Sequence, residues 1–212
     1  MRHVFHTLLL LWAAAVPAAP FEMQFLDADG RPAAGVVAVL RSTDAARPLA
    51  RPVPAVMDQI KRQFAPHVLV IPVGSKVSFP NTDSVAHQVY SFSPAKRFEF
   101  DLYHGNPNPP VIFDVPGIVT LGCNIHDLMR AYVYVVEAQY YARADHDGRW
   151  SAPDVEPGEY QLTIWHPLSR SQAPVLEQRV TVKPEGTHIT LRTATKLKLR
   201  TESQVPPNWD VY

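Results

Sequence analysis

The sequence has a single cysteine, Cys123, among its 212 residues. One cysteine excludes an internal disulfide, so the thiol is buried, bridges to another chain or binds a metal. The sequence also has no excess of charge of one sign, because twenty Lys and Arg offset twenty Asp and Glu and give a formal net charge of zero. Without a basic excess or a basic block, we expect no nucleic-acid partner.

Glycine is scarce as well, with nine residues against 21 prolines. The hydrophobic share of 46% is enough for an ordinary packed core, which excludes a disordered chain. Valine-rich runs closed by Pro, Asn or Asp are typical of short strands joined by turns. The composition therefore predicts a globular all-β protein.

The apolar run near the N-terminus is too short for a membrane-spanning helix. Arg2 precedes an apolar run from Leu8 to Val16, and small residues suited to cleavage follow. A spanning helix needs about 20 apolar residues, roughly twice the run that ends at Pro17. Residues 1–19 therefore predict a signal peptide, export to the periplasm or the medium, and no stable membrane insertion after cleavage. A retained anchor is the alternative.

Turn signals divide the rest of the chain. Residues 20–56 place an Asp-Ala-Asp-Gly turn between two strand patterns, and residues 57–137 carry the densest strand patterns. Within the latter, residues 57–65 are compatible with a turn or a short helix. Residues 138–195 pass through Asp-Gly and Pro-Gly turns into an alternating strand at 160–165. Residues 196–212 form a tail with no predicted element.

Residues that can carry chemistry are concentrated in the segment VTLGCNIHDLMRAYVYVV, residues 119–136. Here Cys123, His126 and Met129 follow one another at intervals of three, so a thiolate, an imidazole and a thioether share one loop. Copper prefers such ligands, and two imidazoles, one thiolate and a weak axial Met define an electron-transfer copper site. His87 lies between two earlier strand patterns, and strand pairing would bring it beside this loop.

This pattern resembles the cupredoxins of the plastocyanin and amicyanin type, and Cys-x-x-His-x-x-Met matches the short ligand loop of amicyanin. The segments GSKVSFPN and DVPGIVTLGC agree with the resemblance, which covers about residues 64–137. It implies a Greek-key β-sandwich that binds one type 1 copper ion through His87, Cys123, His126 and Met129.

Residues 138–195 resemble a second, smaller β-sandwich, the carboxypeptidase regulatory-like fold. The early segment DADGRPAAGVVAVL resembles the opening strands of the same fold, which predicts that the copper domain is inserted into one split sandwich. The combination is similar to exported proteins that are labelled methylamine utilisation proteins or plastocyanin-like proteins.

The four protein ligands would leave no open position on the metal for a substrate. The resemblance therefore implies a carrier of single electrons and no enzyme activity. We expect a dehydrogenase or cytochrome partner to dock on a small apolar surface formed by Ile125 and Leu128 beside His126.

Other interpretations of the same residues stay open. Cys123 is a plain buried thiol in one, and zinc replaces copper in another, although zinc gains little from a thioether. If Met129 is a core residue instead of a ligand, a trigonal or water-completed site with catalytic reactivity becomes available. The function alternatives are a copper delivery or sensor protein without redox duty, and a structural module in which metal stabilises the fold.

One residue departs from the cupredoxin pattern. Family members commonly have Asn after the first His ligand, where it helps to tie the two ligand loops together, whereas this chain has Gln88. Hydrogen bonds around ligands tune the metal, so this change bears on the reduction potential more than on binding. Residues outside the ligand set are predicted to be structural: His67, His104 and His166, and the core aromatics Tyr90, Phe92, Phe98, Phe100 and Tyr103.

Overall fold

The computed structural model describes residues 18–126, 128–167 and 173–193. Within these ranges every regular element is a β-strand, which confirms the all-β prediction. The same residues contain no helix of the length and apolarity that crossing a membrane requires. The predicted tail lies outside the described residues, as does the predicted signal peptide apart from residues 18 and 19.

In chain order the strands are β1 (Ala19–Leu26), β2 (Val37–Ser42), β3 (Pro54–Val56), β4 (Asp58–Ile60), β5 (Gln63–Ala65), β6 (Val68–Pro72), β7 (Ser75–Ser78), β8 (His87–Ser93), β9 (Lys96–Tyr103), β10 (Val111–Phe113), β11 (Gly117–Gly122), β12 (Arg130–Val136), β13 (Tyr140–Arg143), β14 (Arg149–Val155), β15 (Gly158–Trp165), β16 (Leu176–Val182) and β17 (Thr187–Arg192).

Strands from both ends of the described chain form one sandwich, here called the flanking sandwich. Strand β1 pairs with β14 and β17, while β2 lies between β13 and β15, with β16 beyond β15. Alternate side chains of the two sheets point inward and form one buried core that includes Phe21, Phe25, Leu40, Tyr160 and Leu162. The strands before and after residues 54–136 thus share a core, the arrangement that an inserted domain would give.

The strands between them form the central sandwich. One sheet has the order β6-β12-β11-β8-β9 and the other has the order β10-β7-β3. Alternating residues of β11 and β12 face the core, where Val119, Leu121 and Val133 pack with Phe79 and Phe113. Parallel pairing of β6 with β12 and antiparallel pairing of β11 with β12 hold the strand ends that carry the ligand loop.

Residues 58–65 form the antiparallel hairpin of β4 and β5, so of the two alternatives for this segment, a turn or a short helix, the helix is wrong. Lys61 and Arg62 form its turn with φ angles of 52° and 58°. Two consecutive left-handed residues match the twist of an antiparallel ribbon, but Asn-Gly is the usual pair at these positions. Lys-Arg gives no such turn signal, which explains why the sequence pattern did not predict a hairpin.

The two sandwiches pack against each other through one side of the central sandwich. Trp165 at the end of β15 is fully buried, and its ring centroid lies 5.5 Å from that of Tyr132 and 5.6 Å from that of Tyr134. Val37 and Val39 of β2 join this cluster. The contact uses outward residues of β6 and β12 and leaves the loop between Cys123 and Met129 uncovered, since Leu128 is 95% exposed.

Candidate metal centre

Two paired strands bring His87 and Cys123 together. His87 is the first residue of β8, and Cys123 directly follows β11, which pairs antiparallel with β8 through Gly122 and Tyr90. The start of one strand therefore meets the end of the other. Nδ1 of His87 lies 3.8 Å from Sγ of Cys123, and both side chains are buried.

His126 completes the group from within the loop. Its Nδ1 lies 4.0 Å from Sγ of Cys123, and the two imidazole centroids are 4.9 Å apart. Ligand atoms of His87, Cys123 and His126 all lie within 4.8 Å of one another, and no other group of three His, Cys, Asp or Glu residues in the described ranges is arranged for a metal.

The spacing of these atoms fits a shared metal ion. Metal–sulfur bonds of about 2.3 Å and metal–nitrogen bonds of about 2.0–2.1 Å, at angles of about 110–120°, separate sulfur from nitrogen by roughly 3.5–3.8 Å. The observed separations of 3.8 and 4.0 Å are within a few tenths of an ångström of that range. Two imidazoles and one thiolate suit copper or zinc and do not suit hard cations such as Mg²⁺.

Met129 lies at the end of the same loop. Its backbone N–H donates to the carbonyl of His126 over 2.8 Å, which closes a turn around residues 126–129. The side chain is 3% exposed and belongs to the same buried cluster as Cys123. This placement is compatible with both the axial-ligand prediction and the core alternative. Asp127 lies outside the described residues.

Asp83 is a functional candidate that the sequence analysis missed. Its Oδ2 lies 2.9 Å from Nε2 of His87, and the Asp83 side chain is only 9% exposed. An Nε2–H that donates to this carboxylate leaves the lone pair of His87 Nδ1 facing Cys123, as metal binding requires. The signal was an acidic residue four positions before His87 in the segment NTDSVAH.

The surroundings keep Asp83 ionised. Burial alone would raise the pKa of this carboxyl, but hydrogen bonds from His87 and from the Arg62 and Ser84 amides outweigh it and lower the pKa to about 2. Asp83 is therefore a carboxylate beside the His87 ring across the neutral pH range.

A second set of buried hydrogen bonds fixes the segment that carries Asp83. Asn81 donates from Nδ2 to the carbonyl oxygens of Val85 and Tyr103, over 3.0 and 2.7 Å. The Tyr103 hydroxyl donates to the Phe79 carbonyl over 2.6 Å and accepts from Nε2 of Gln59, and burial raises the pKa of Tyr103 to about 12. These bonds join the segment before His87 to β4 and β9.

Gln88 does not tie the ligand loops together. Its Nε2 donates to Oε1 of Glu99 over 2.8 Å, which links β8 to β9 on the outer face of the sheet. The family's Asn bond between the two loops thus has no counterpart from this side chain.

The prediction that five aromatic residues of β8 and β9 belong to the core is only partly right. Tyr103 is buried, and Phe98 and Phe100 pack against the core as expected, but Phe92 is 64% exposed and Tyr90 is half-buried outside the core cluster. His87, Val89 and Ser91 take the inward positions of β8, so the residues between them face outward.

The other predicted structural histidines lie outside the centre. His166 is buried and its Nε2 lies 3.1 Å from the Ala34 carbonyl, while burial lowers its pKa to about 4. His67 is buried edge-on to the ring of Tyr132, and His104 is exposed.

Parts of the chain are similar to known proteins. The family model for polysaccharide lyase family 4, domain II, matches residues 117–191, a minority of the chain. No curated protein matches in sequence. The carboxypeptidase regulatory-like resemblance of residues 138–195 stays a prediction.

Among solved structures, a purple cupredoxin from Nitrosopumilus maritimus is similar at 23% identity over 39% of this chain and 99% of its own, with a TM-score of 0.35. The amicyanin of Paracoccus versutus is similar at 20% identity over 47% of this chain and 97% of its own, with a TM-score of 0.35. A copper-containing nitrite reductase from Thermus scotoductus SA-01 is similar at 23% identity over 46% of this chain and 25% of its own, with a TM-score of 0.38. All three likenesses concern the fold of part of the chain.

Proposed function

We propose that this chain binds one copper ion through His87, Cys123, His126 and Met129 and carries single electrons between redox partners outside the cytoplasm. The observation that carries the proposal is the convergence of one thiol and two imidazole Nδ1 atoms within 4.8 Å. Copper would supply a one-electron change between Cu(I) and Cu(II) at this position.

The fixed positions of the ligand side chains support an electron-transfer role. His87 and Cys123 are buried at the ends of two paired strands, and Asp83 holds the far nitrogen of His87. Ligands that a rigid scaffold fixes change position little when the charge of the bound metal ion changes, which favours rapid electron transfer. A delivery protein, by contrast, has to release its metal, and buried ligands on paired strands oppose release.

Electrons would enter and leave beside His126. This residue is partly exposed, whereas His87 is fully buried. Ile125 is 51% exposed and Leu128 is 95% exposed on the same loop, and the flanking sandwich leaves them uncovered. Exposed apolar side chains beside a redox centre suit a transient contact with a protein partner, which we propose to be a dehydrogenase or a cytochrome.

Voltammetry of the copper-loaded protein tests the carrier function. We expect one electron per bound copper and an unchanged metal content after repeated cycles. Loss of copper on cycling would favour a delivery protein instead. Catalytic turnover of a small substrate at the metal would favour the alternative in which Met129 is not a ligand.

The docking surface needs its own experiment. We expect Leu128→Lys to slow electron exchange with a cytochrome several-fold without changing the reduction potential. Ile112→Lys is the matched control, because Ile112 is also exposed but lies on β10. Equal effects of the two variants would contradict docking at the ligand loop.

A further inference from the structure

The hairpin of β4 and β5 reaches the metal centre through Asp83. The backbone N–H of Arg62, in the hairpin turn, donates to Oδ2 of Asp83 over 2.6 Å. The same oxygen lies 2.9 Å from Nε2 of His87. The other carboxylate oxygen, Oδ1, accepts from the Ser84 backbone N–H over 2.7 Å. Both oxygens of this carboxylate are therefore held by backbone groups.

The hairpin itself is fastened to the segment that precedes Asp83. Oδ2 of Asp58 accepts from the Thr82 hydroxyl over 2.8 Å, and the Thr82 backbone N–H donates to the Gln59 carbonyl over 3.1 Å. The Gln59 N–H in turn donates to the Pro80 carbonyl over 3.1 Å. These bonds fix the position of the hairpin turn relative to residues 80–83.

The backbone conformation of the turn at Lys61 and Arg62 also points to a positioning role. Lys61 and Arg62 both adopt left-handed φ angles, a conformation that is unfavourable for residues with a Cβ and persists only where the surroundings enforce it. In this conformation the Arg62 N–H points at Asp83. The unfavourable turn conformation therefore places a backbone N–H donor on the Asp83 carboxylate, which in turn contacts His87.

We infer that the turn at Lys61 and Arg62 is a positioning element for His87: its Arg62 N–H holds the Asp83 carboxylate, and the carboxylate fixes the ring orientation and the Nε2–H tautomer of His87. Neither the turn nor Asp83 is among the proposed metal ligands. The inference rests on the proposed function for the Cu(I) affinity and the reduction potential, whereas the tautomer is a property of the metal-free protein.

Substitutions at Asp83 separate hydrogen bonding from charge. Asp83→Ala removes the acceptor, so we expect the tautomer preference of His87 to be lost and the affinity for Cu(I) to fall by about 10–100-fold. Asp83→Asn keeps an acceptor oxygen, so it should retain the tautomer and most of the affinity. Loss of the negative charge should also raise the reduction potential, since a nearby anion stabilises the more highly charged Cu(II).

The turn is tested by a matched pair of variants. The double substitution Lys61→Asn with Arg62→Gly keeps the N–H and suits left-handed φ angles, and we expect wild-type tautomer and affinity. Arg62→Pro removes the N–H and is incompatible with the left-handed φ of 58° at this position, so it breaks both features of the turn, and we expect a weaker tautomer preference and weaker binding. Asp114→Ala is the control for a distant carboxylate, because Asp114 is exposed and paired with Lys96.

The readouts are the ¹⁵N shifts of the imidazoles of the metal-free protein at pH 8 and competition for Cu(I) with a chromophoric chelator. A wild-type His87 protonated on Nδ1, or Asp83→Ala with unchanged tautomer and affinity, would overturn the inference. Wild-type behaviour of a folded Arg62→Pro would overturn the role of the turn. If His87 is protonated on Nε2 but bound copper does not change reversibly between Cu(I) and Cu(II), the proposed function is refuted and the positioning role stands.

Discussion

Sγ of Cys123 lies 3.8 Å from Nδ1 of His87 although 36 positions separate the two residues in the chain. The contact is set by the pairing of β8 with β11, whose backbones are in register at Tyr90 and Gly122. Because His87 begins β8 and Cys123 directly follows β11, the distance between these two residues is a property of the sandwich. Substitutions that disturb this strand pairing should therefore alter the centre as well as stability.

Gly122→Ala tests the close packing of the two paired strands at Tyr90. A Cβ at this position would lie 2.6 Å from Cζ and Oη of Tyr90, too close for any real contact, so the ring has to move. We expect a loss of about 1–3 kcal/mol in the free energy of unfolding, measured by urea denaturation. Tyr90→Ala in the same background should remove most of this penalty, and additive effects in the double-mutant cycle would contradict the proposed clash.

Met129→Leu tests the axial-ligand role. The side chain is buried, and the change conserves volume, so unfolding free energy should fall by less than about 1.5 kcal/mol. If Met129 is the weak axial ligand, copper stays bound while the reduction potential shifts. An unchanged potential would assign Met129 to the core, and complete loss of copper would give it a stronger role than an axial ligand.

Much of this site could be predicted from the sequence because the information is local. Cys123, His126 and Met129 occupy one loop at fixed spacing, whereas His87 required an assumption about which strands pair. Asp83 was missed because an acidic residue near a histidine is common, and only the fold shows that their side chains meet. Phe92 was assigned to the core because aromatic alternation does not state which face of β8 is inward.

His166 predicts how the stability of the metal-free protein depends on pH. Burial lowers its pKa from 6.5 to about 4, so below pH 6.5 the unfolded chain takes up a proton that the folded chain refuses. Stability should therefore fall by about 2–3 kcal/mol between pH 7 and pH 4.5, in addition to the effects of other groups. Urea denaturation of the metal-free protein at both values measures the change.

His166→Gln is the comparison for that measurement. The amide of Gln can still donate to the Ala34 carbonyl but does not titrate. The variant should lose less stability than the wild type over the same pH interval. An identical loss in both proteins would contradict the role of His166.

Trp165→Ala tests whether the two sandwiches unfold together. The side chain is fully buried between Tyr132 and Tyr134, so its removal should lower the unfolding free energy by about 3–5 kcal/mol. We expect the single transition of the wild type to separate into two, as followed by circular dichroism and by copper absorption. Trp150→Ala, within the core of the flanking sandwich, is the control that should weaken stability without opening this contact.

The central claim is that Cys123 and the two histidines beside it hold one copper ion. Cu(II) added to the purified protein should bind at one equivalent and give an intense visible thiolate-to-copper absorption, whereas Cys123→Ala should stay colourless. A wild-type protein that binds no copper, or binds it without this absorption, would contradict the claim.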